Sequence, residues 1–137
     1  MQPWLRRWNL TPDGAPIQTH TSVLLPVLSG DQPAMLKVAM VPEEERGAAV
    51  LAWWGGEGAA RVLALEGVAL LMERATGTRF LAQMVASGDD DGATCVLCAT
   101  AAHLHRPRLH PPANAVPLDT WFAALAPAAA REGGILT

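Results

Sequence analysis

Lys37 stands inside the apolar run Met35-Leu36-Lys37-Val38. An unpaired ammonium on such a strand costs several kcal/mol unless a counter-charge or a polar cleft receives it. The run Glu43-Glu44-Glu45 that follows Pro42 is the nearest source of a counter-charge. A strand lysine neutralised by a helix glutamate can hold adjacent phosphates of a nucleotide, because the carboxylate fixes where the ammonium points. The plainer alternative places Lys37 on the solvent face of an edge strand. Upstream, Thr19-His20-Thr21-Ser22 offers backbone N–H groups and short hydroxyls, which suit phosphate oxygens. Polar hairpin tips of the same kind are common without any ligand. Neither GxxxxGKS/T nor GxGxxG occurs, so a nucleotide site of the Walker or Rossmann type is excluded at the level of motifs.

Other reactive side chains carry less. Cys95 and Cys98 have CxxC spacing but lie in a helical pattern with no second pair, and a structural zinc wants four ligands, so buried small side chains are expected. His103, His105 and His110 lack a carboxylate to complete a metal set, and Pro107 breaks the element that carries them. Histidines at a helix end, favoured by its dipole, are expected instead. Trp53 and Trp54 beside Gly55-Gly56 are expected in the core rather than as a ligand platform. Ser22, Ser29 and Ser87 have no GxSxG setting and no marked base, which argues against a hydrolase.

The elements that must position these groups alternate in an orderly way. Thr11-Pro12-Asp13-Gly14 reads as a turn leading into an extended segment from Ala15 to Gln18. Val23 to Leu28 and Ala34 to Ala39 read as a hairpin across Ser29-Gly30-Asp31-Gln32-Pro33, with Pro26 marking an edge or a bulge. A helix opens at Pro42, where the missing N–H costs nothing and the glutamates meet the positive end of the dipole. It is expected to run to Trp54 and stop at Gly55-Gly56. Arg61 to Leu65 and Val68 to Met72 form a second hairpin around Glu66-Gly67. Beyond Gly77 the chain turns helical: Phe80 to Val85, then Ala93 to His105 behind Asp89-Asp90-Asp91 with a stripe of Leu97, Ala101 and Leu104. Leu118, Trp121, Phe122 and Leu125 share one face of a last helix that Pro127 kinks or ends.

These 137 residues suffice for a real core, since half are apolar and only 17% are charged, which excludes intrinsic disorder. A net charge of -3 argues against nucleic-acid binding. No apolar run reaches the roughly 20 residues of a membrane span, and no signal core follows the N-terminal arginines. Two cysteines make no disulfide framework. A cytoplasmic protein is expected.

The order of strand lysine, acidic helix, hairpin and Leu71-Met72-Glu73-Arg74-Ala75 looks like the N-terminal lobe of a kinase-like phosphotransferase. More narrowly, Trp8-Asn9-Leu10, Asp13-Gly14, Pro33-Ala34-Met35-Leu36-Lys37-Val38 and the run from Trp53-Trp54-Gly55-Gly56 to Arg61-Val62-Leu63 resemble the aminoglycoside/hydroxyurea antibiotic resistance kinase family. The resemblance extends through Ala102-His103-Leu104-His105 and Trp121-Phe122, and so covers essentially the whole chain.

The resemblance implies an α+β fold. Residues 1–74 would form the kinase-like N-lobe, an antiparallel sheet plus one helix, and residues 75–137 the hinge and first helices of a truncated C-lobe. It implies that Lys37 binds nucleotide phosphate, that Thr19, His20, Thr21 and Ser22 form the phosphate loop, and that the backbone of Glu73 and Ala75 bonds adenine with Met72 gating the pocket. Gly47 stands where related kinases often place the paired glutamate, which moves that role to Glu44 and leaves Glu43 and Glu45 open. ATP and magnesium are the implied cofactors, and a hydroxyl of a streptomycin-like aminoglycoside, or of hydroxyurea, is the implied acceptor.

One family feature is absent. No His-Gly-Asp occurs, and Asp119, the last aspartate, opens an amphipathic helix rather than a catalytic loop. The base and the magnesium ligands are therefore expected in a missing C-terminal part, and this chain is expected to be inactive alone. The rival reading is a non-catalytic interaction module that forms a homodimer through its C-terminal helices.

Overall fold

Gly30 turns the chain at φ 60°, a left-handed conformation that glycine adopts without strain, and so sets the register of the central hairpin. In this computed structural model, which describes residues 1–78 and 80–131, that hairpin joins β3 (Ser22–Ser29) to β4 (Gln32–Ala39). Around it lie α1 (Gln2–Arg7), β1 (Leu10–Pro12), β2 (Ile17–Gln18), α2 (Pro42–Trp54), β5 (Val62–Glu66) and β6 (Ala69–Glu73). Then come α3 (Leu81–Ala86), α4 (Asp90–Leu104), α5 (Leu118–Trp121) and α6 (Leu125–Arg131). The strands form one antiparallel sheet in the order β1-β3-β4-β6-β5, with β2 beside β1 on the outer side of β3. The fold is α+β, as the resemblance implies: an antiparallel sheet with α2 packed over β4 and β5, followed by helices. Among the described residues no helix is long and apolar enough to cross a membrane.

The strands alternate as a one-sided sheet requires. Leu25, Leu36 and Leu71 face one another across β3, β4 and β6, and Val27 faces Ala34. Together with Leu5 and Leu10 they are buried as the core. Helix α1 closes this face, with Trp4 and Trp8 packed at 5.2 Å between ring centroids and against the same core. The N-terminal helix was not expected from the sequence, although its parts are readable afterwards. Proline stands at its start, and Arg6 and Arg7 occupy its last turn, where cations favour the dipole. The expected turn does not reverse the chain: Thr11 and Pro12 belong to β1, and because β1 and β2 both run antiparallel to β3, Asp13 and Gly14 lie in a break between two strands of the same direction.

Pro26 is neither at a sheet edge nor in a bulge. It lies in β3 opposite Met35, in the break between β1 and β2, and its carbonyl accepts from the Asp13 N–H at 2.9 Å. A residue's N–H and C=O point to the same side of a strand, so the missing proline donor falls in that break and removes no ladder bond. Helix α2 has the expected bounds, with Gly55 at φ 63° as its left-handed cap.

The helical half departs from expectation in what it buries. Cys95 and Cys98 are exposed, not buried. At 100° per residue both point away from Ala93, the residue by which α4 is buried. Leu97 and Ala101 of the expected stripe are exposed as well, Leu97 at 57%. The single last helix is instead two, α5 and α6, with Pro127 in the first turn of α6, where its missing N–H is tolerated. The apolar face of Leu118, Trp121, Phe122 and Leu125 is exposed. Trp53 and Trp54 are half-buried and stand outside the core; the Trp53 indole donates to the Leu109 carbonyl at 2.9 Å, and Arg108 lies over its ring.

Asp89 caps α4 by accepting from the Gly92 N–H at 3.1 Å. Asp89→Ala is expected to cost about 1 kcal/mol and to raise amide hydrogen exchange in the first turn of α4. Protection unchanged in that turn would dismiss the cap.

Candidate functional site

Cross-strand partners share a face, so the side of the sheet opposite the core can be read from the register. Lys37 stands opposite Leu24 on β3 and Leu70 on β6, and Met35 stands opposite Pro26 and Met72. Leu24, Pro26, Met35 and Met72 are half-buried, forming an apolar floor that begins at Leu24 directly across from Lys37 and extends to Pro26, Met35 and Met72 two strand positions along, roughly 7 Å. Strand β4 lies between β3 and β6, so Lys37 is not on an edge.

Helix α2 brings its first turn to this floor. Lys37 Nζ donates to Glu44 Oε2, and both side chains keep about a quarter of their surface exposed, at 25% and 23%. Glu43 instead pairs with Arg46 at 2.9 Å. The second oxygen of Glu44 accepts from the Thr21 hydroxyl at 2.5 Å. Each carboxylate oxygen thus has its own donor. An ion pair open to solvent contributes about 1 kcal/mol or less, so the consequence of this geometry is orientation more than stability.

The pairing holds the Glu44 carboxyl below the usual carboxylate range, chiefly through the Lys37 hydrogen bond and then through Thr21, against an opposing effect of burial. A folded pKa below the unfolded one adds stability that is complete above the unfolded value and is lost as pH falls through the folded value. Urea unfolding should therefore show wild type above Glu44→Gln at neutral pH, with the gap closing as pH drops through and below the carboxylate range. A gap that persists undiminished in acid would contradict the pairing.

The segment from Thr19 to Ser22 is bonded largely to itself. Thr19 Oγ1 accepts from the Ser22 N–H at 2.9 Å and from the Thr21 N–H at 3.3 Å, and the Thr19 N–H donates to the Ser22 carbonyl at 2.9 Å. Ser22 is buried at 2% exposure and His20 is exposed. The structure therefore brings Thr21 onto the Lys37–Glu44 pair, while the N–H groups of Thr19, Thr21 and Ser22 are turned inward.

Met72 ends the apolar floor. Beyond it Glu73 is anchored twice to Arg61: its N–H donates to the Arg61 carbonyl and its carboxylate accepts from the Arg61 N–H, both at 2.9 Å. Arg74 pairs with Asp13 at 2.6 Å, and Ala75 is exposed in a segment without regular structure. No local pattern marks the Asp13–Arg74 pair, whose members are 61 positions apart along the chain.

Two cavities among the described residues lie elsewhere. The larger, about 670 Å³, is lined by Gly77, Thr78, Leu81, Met84 and Val96, none of which is titratable. A groove of about 210 Å³ runs between α2 and Val116 and Trp121. Neither reaches Lys37, where the charged and hydroxyl groups converge, so chemistry rather than volume marks the site. Among the described residues no cluster of three or more His, Cys, Asp or Glu suits a metal ion.

Comparison with known proteins supplies the family. The chain matches the model of the aminoglycoside/hydroxyurea antibiotic resistance kinases over residues 7–136. It is 53% identical over 135 residues to a streptomycin 3''-kinase of Klebsiella pneumoniae, a match covering 91% of this chain and 51% of that protein. It is 38% identical over 104 residues to a streptomycin 6-kinase of Streptomyces glaucescens, covering 73% of this chain and 33% of that one. The chain thus spans half the length of the first relative and a third of the second. No solved structure matches it. With a family match that runs almost from end to end, the chain belongs to the aminoglycoside/hydroxyurea antibiotic resistance kinases.

Proposed function

We propose that this chain is the nucleotide-holding part of a cytoplasmic, ATP-dependent phosphotransferase that modifies a hydroxyl of streptomycin or a related aminoglycoside and so confers resistance. The observation that carries the reading is the Lys37–Glu44 ion pair beside the half-buried apolar floor of Leu24, Pro26, Met35 and Met72. An adenine ring can lie on that floor, with the backbone of Glu73 and Ala75 at its edge and Met72 at its back, while Lys37 reaches the phosphates. Residues 1–74 act as the N-lobe in this reading, and residues 75–137 as the hinge and the start of the second lobe. Bound ATP would supply the transferred phosphoryl group, and magnesium would spread its charge. Lys37 orients and neutralises the phosphates, and the apolar floor keeps water from the base. The higher identity to the 3''-kinase favours the 3'' hydroxyl over position 6.

Phosphoryl transfer rests on positioning and metal electrostatics, and this sequence contains no His-Gly-Asp loop, so the 137-residue chain by itself is inactive in this reading. Incubation with radiolabelled ATP, magnesium and streptomycin should give no labelled drug. Joining the chain to the C-terminal half of the Klebsiella relative should restore labelling; a fusion that folds and binds ATP yet never labels streptomycin would overturn the assignment. The exposed face of Leu118, Trp121, Phe122 and Leu125 supports the second reading, a homodimer of the chain through its last helices, which sedimentation would reveal.

A further inference from the structure

We propose that Thr21 is a positioning residue: its hydroxyl fixes the Glu44 carboxylate so that Lys37 is held toward the nucleotide phosphates, rather than binding phosphate itself. The inference rests on the reading of Lys37 as the phosphate-holding residue. The Thr21 side chain is committed, because its hydroxyl donates to Glu44 Oε1 at 2.5 Å while Lys37 takes Oε2. Its backbone is committed as well. The Thr21 N–H donates to Thr19 Oγ1 at 3.3 Å, and its carbonyl accepts from the Met40 N–H at 2.8 Å, just before α2 begins. One residue therefore ties the start of β3, the end of β4 and the first turn of α2 around a single carboxylate.

The geometry explains why a second donor matters. Glu44 sits on a helix that packs over β4 and β5, and its long side chain has several rotamers. With only the Lys37 contact, a pair open to solvent at about a quarter of its surface loses much of its directional preference to side-chain entropy. A hydroxyl at the other oxygen selects one rotamer. Valine at position 21 preserves the branched shape and strand preference but leaves Glu44 Oε1 without its donor, whereas serine keeps the donor.

The test uses a feature of the composition: Lys37 is the only lysine in the chain, so its side-chain amine can be followed singly. Acetylation of Lys37 by acetic anhydride at pH 8, read by mass spectrometry, should be at least about threefold faster in Thr21→Val than in wild type and unchanged in Thr21→Ser, with circular dichroism confirming the fold of each. Rates equal in wild type and Thr21→Val, or raised equally in both variants, would overturn the positioning role. If Thr21→Val fails to fold, Thr21→Ala replaces it with the same expectation and the same overturning result. A second arm adds magnesium and ATP: protection of Lys37 in wild type supports the nucleotide reading. Faster acetylation in Thr21→Val with no protection in wild type would remove the nucleotide and leave the Thr21–Glu44–Lys37 geometry standing.

Discussion

Lys37→Ala is expected to collapse the thermal shift that magnesium and ATP should give this chain under the proposed function. At ten times its Kd a ligand stabilises the folded state by about 1.4 kcal/mol, roughly a 5 °C rise in Tm for a domain of this size. Losing a hydrogen bond from a charged donor to phosphate, about 1.5–3 kcal/mol, weakens binding by about 10- to 150-fold, and the rise at the same ATP concentration falls below about 2 °C. The unliganded variant should melt close to wild type, because the Lys37–Glu44 pair is open to solvent and contributes little to stability. That separation of binding from folding is what makes the result diagnostic. An ATP-dependent rise of unchanged size in the variant would remove Lys37 from the nucleotide site.

Leu36→Ala is expected to have the opposite signature, a large loss of stability from the residue next door. Leu36 is wholly buried between Leu25 and Leu71 at the centre of the sheet, on the face closed by α1. Truncation leaves a cavity that neighbouring strands cannot collapse into, costing about 3 kcal/mol and roughly 10 °C in Tm. Leu97→Ala on the exposed side of α4 should change stability by less than about 0.5 kcal/mol. Urea titrations of the two variants check both values. A loss below about 1 kcal/mol at Leu36 would contradict the division of the sheet into a core face and a lysine face.

The adjacent fates of Leu36 and Lys37 follow from the strand period. Alternation along Ala34 to Val38 packs Ala34 and Leu36 on one face and turns Lys37 to the other, whereas the sequence showed only an apolar run with a lysine in it, because an apolar residue at nearly every position does not say which face is buried. The hairpin turn at Gly30 and the α2 limits at Pro42 and Gly55 were legible because their signals are local. Pro26 was not, because its tolerance depends on a break between two other strands. The second half shows the same limit more sharply. Helical spacing indicated that Leu118, Trp121, Phe122 and Leu125 share a face, but spacing says nothing about what covers it, and that face is exposed, as are Cys95 and Cys98.

The sequence alone determined the strand and helix order, a lysine that needed a counter-charge, three adjacent glutamates to supply it, and a resemblance that named the family. It left open which glutamate would answer and assigned Thr21 to phosphate. Successive residues of a helix point about 100° apart, so the docking of α2 on β4 and β5 lets one carboxylate of the three face Lys37, and Glu44 is the one. The partner of Thr21 followed from the same docking, since Glu44 Oε1 meets its hydroxyl only when α2 is packed in place. Local periodicity fixes which way each side chain leaves its own element; the meeting of two elements, and with it the geometry of the charged pair, exists only in the folded chain.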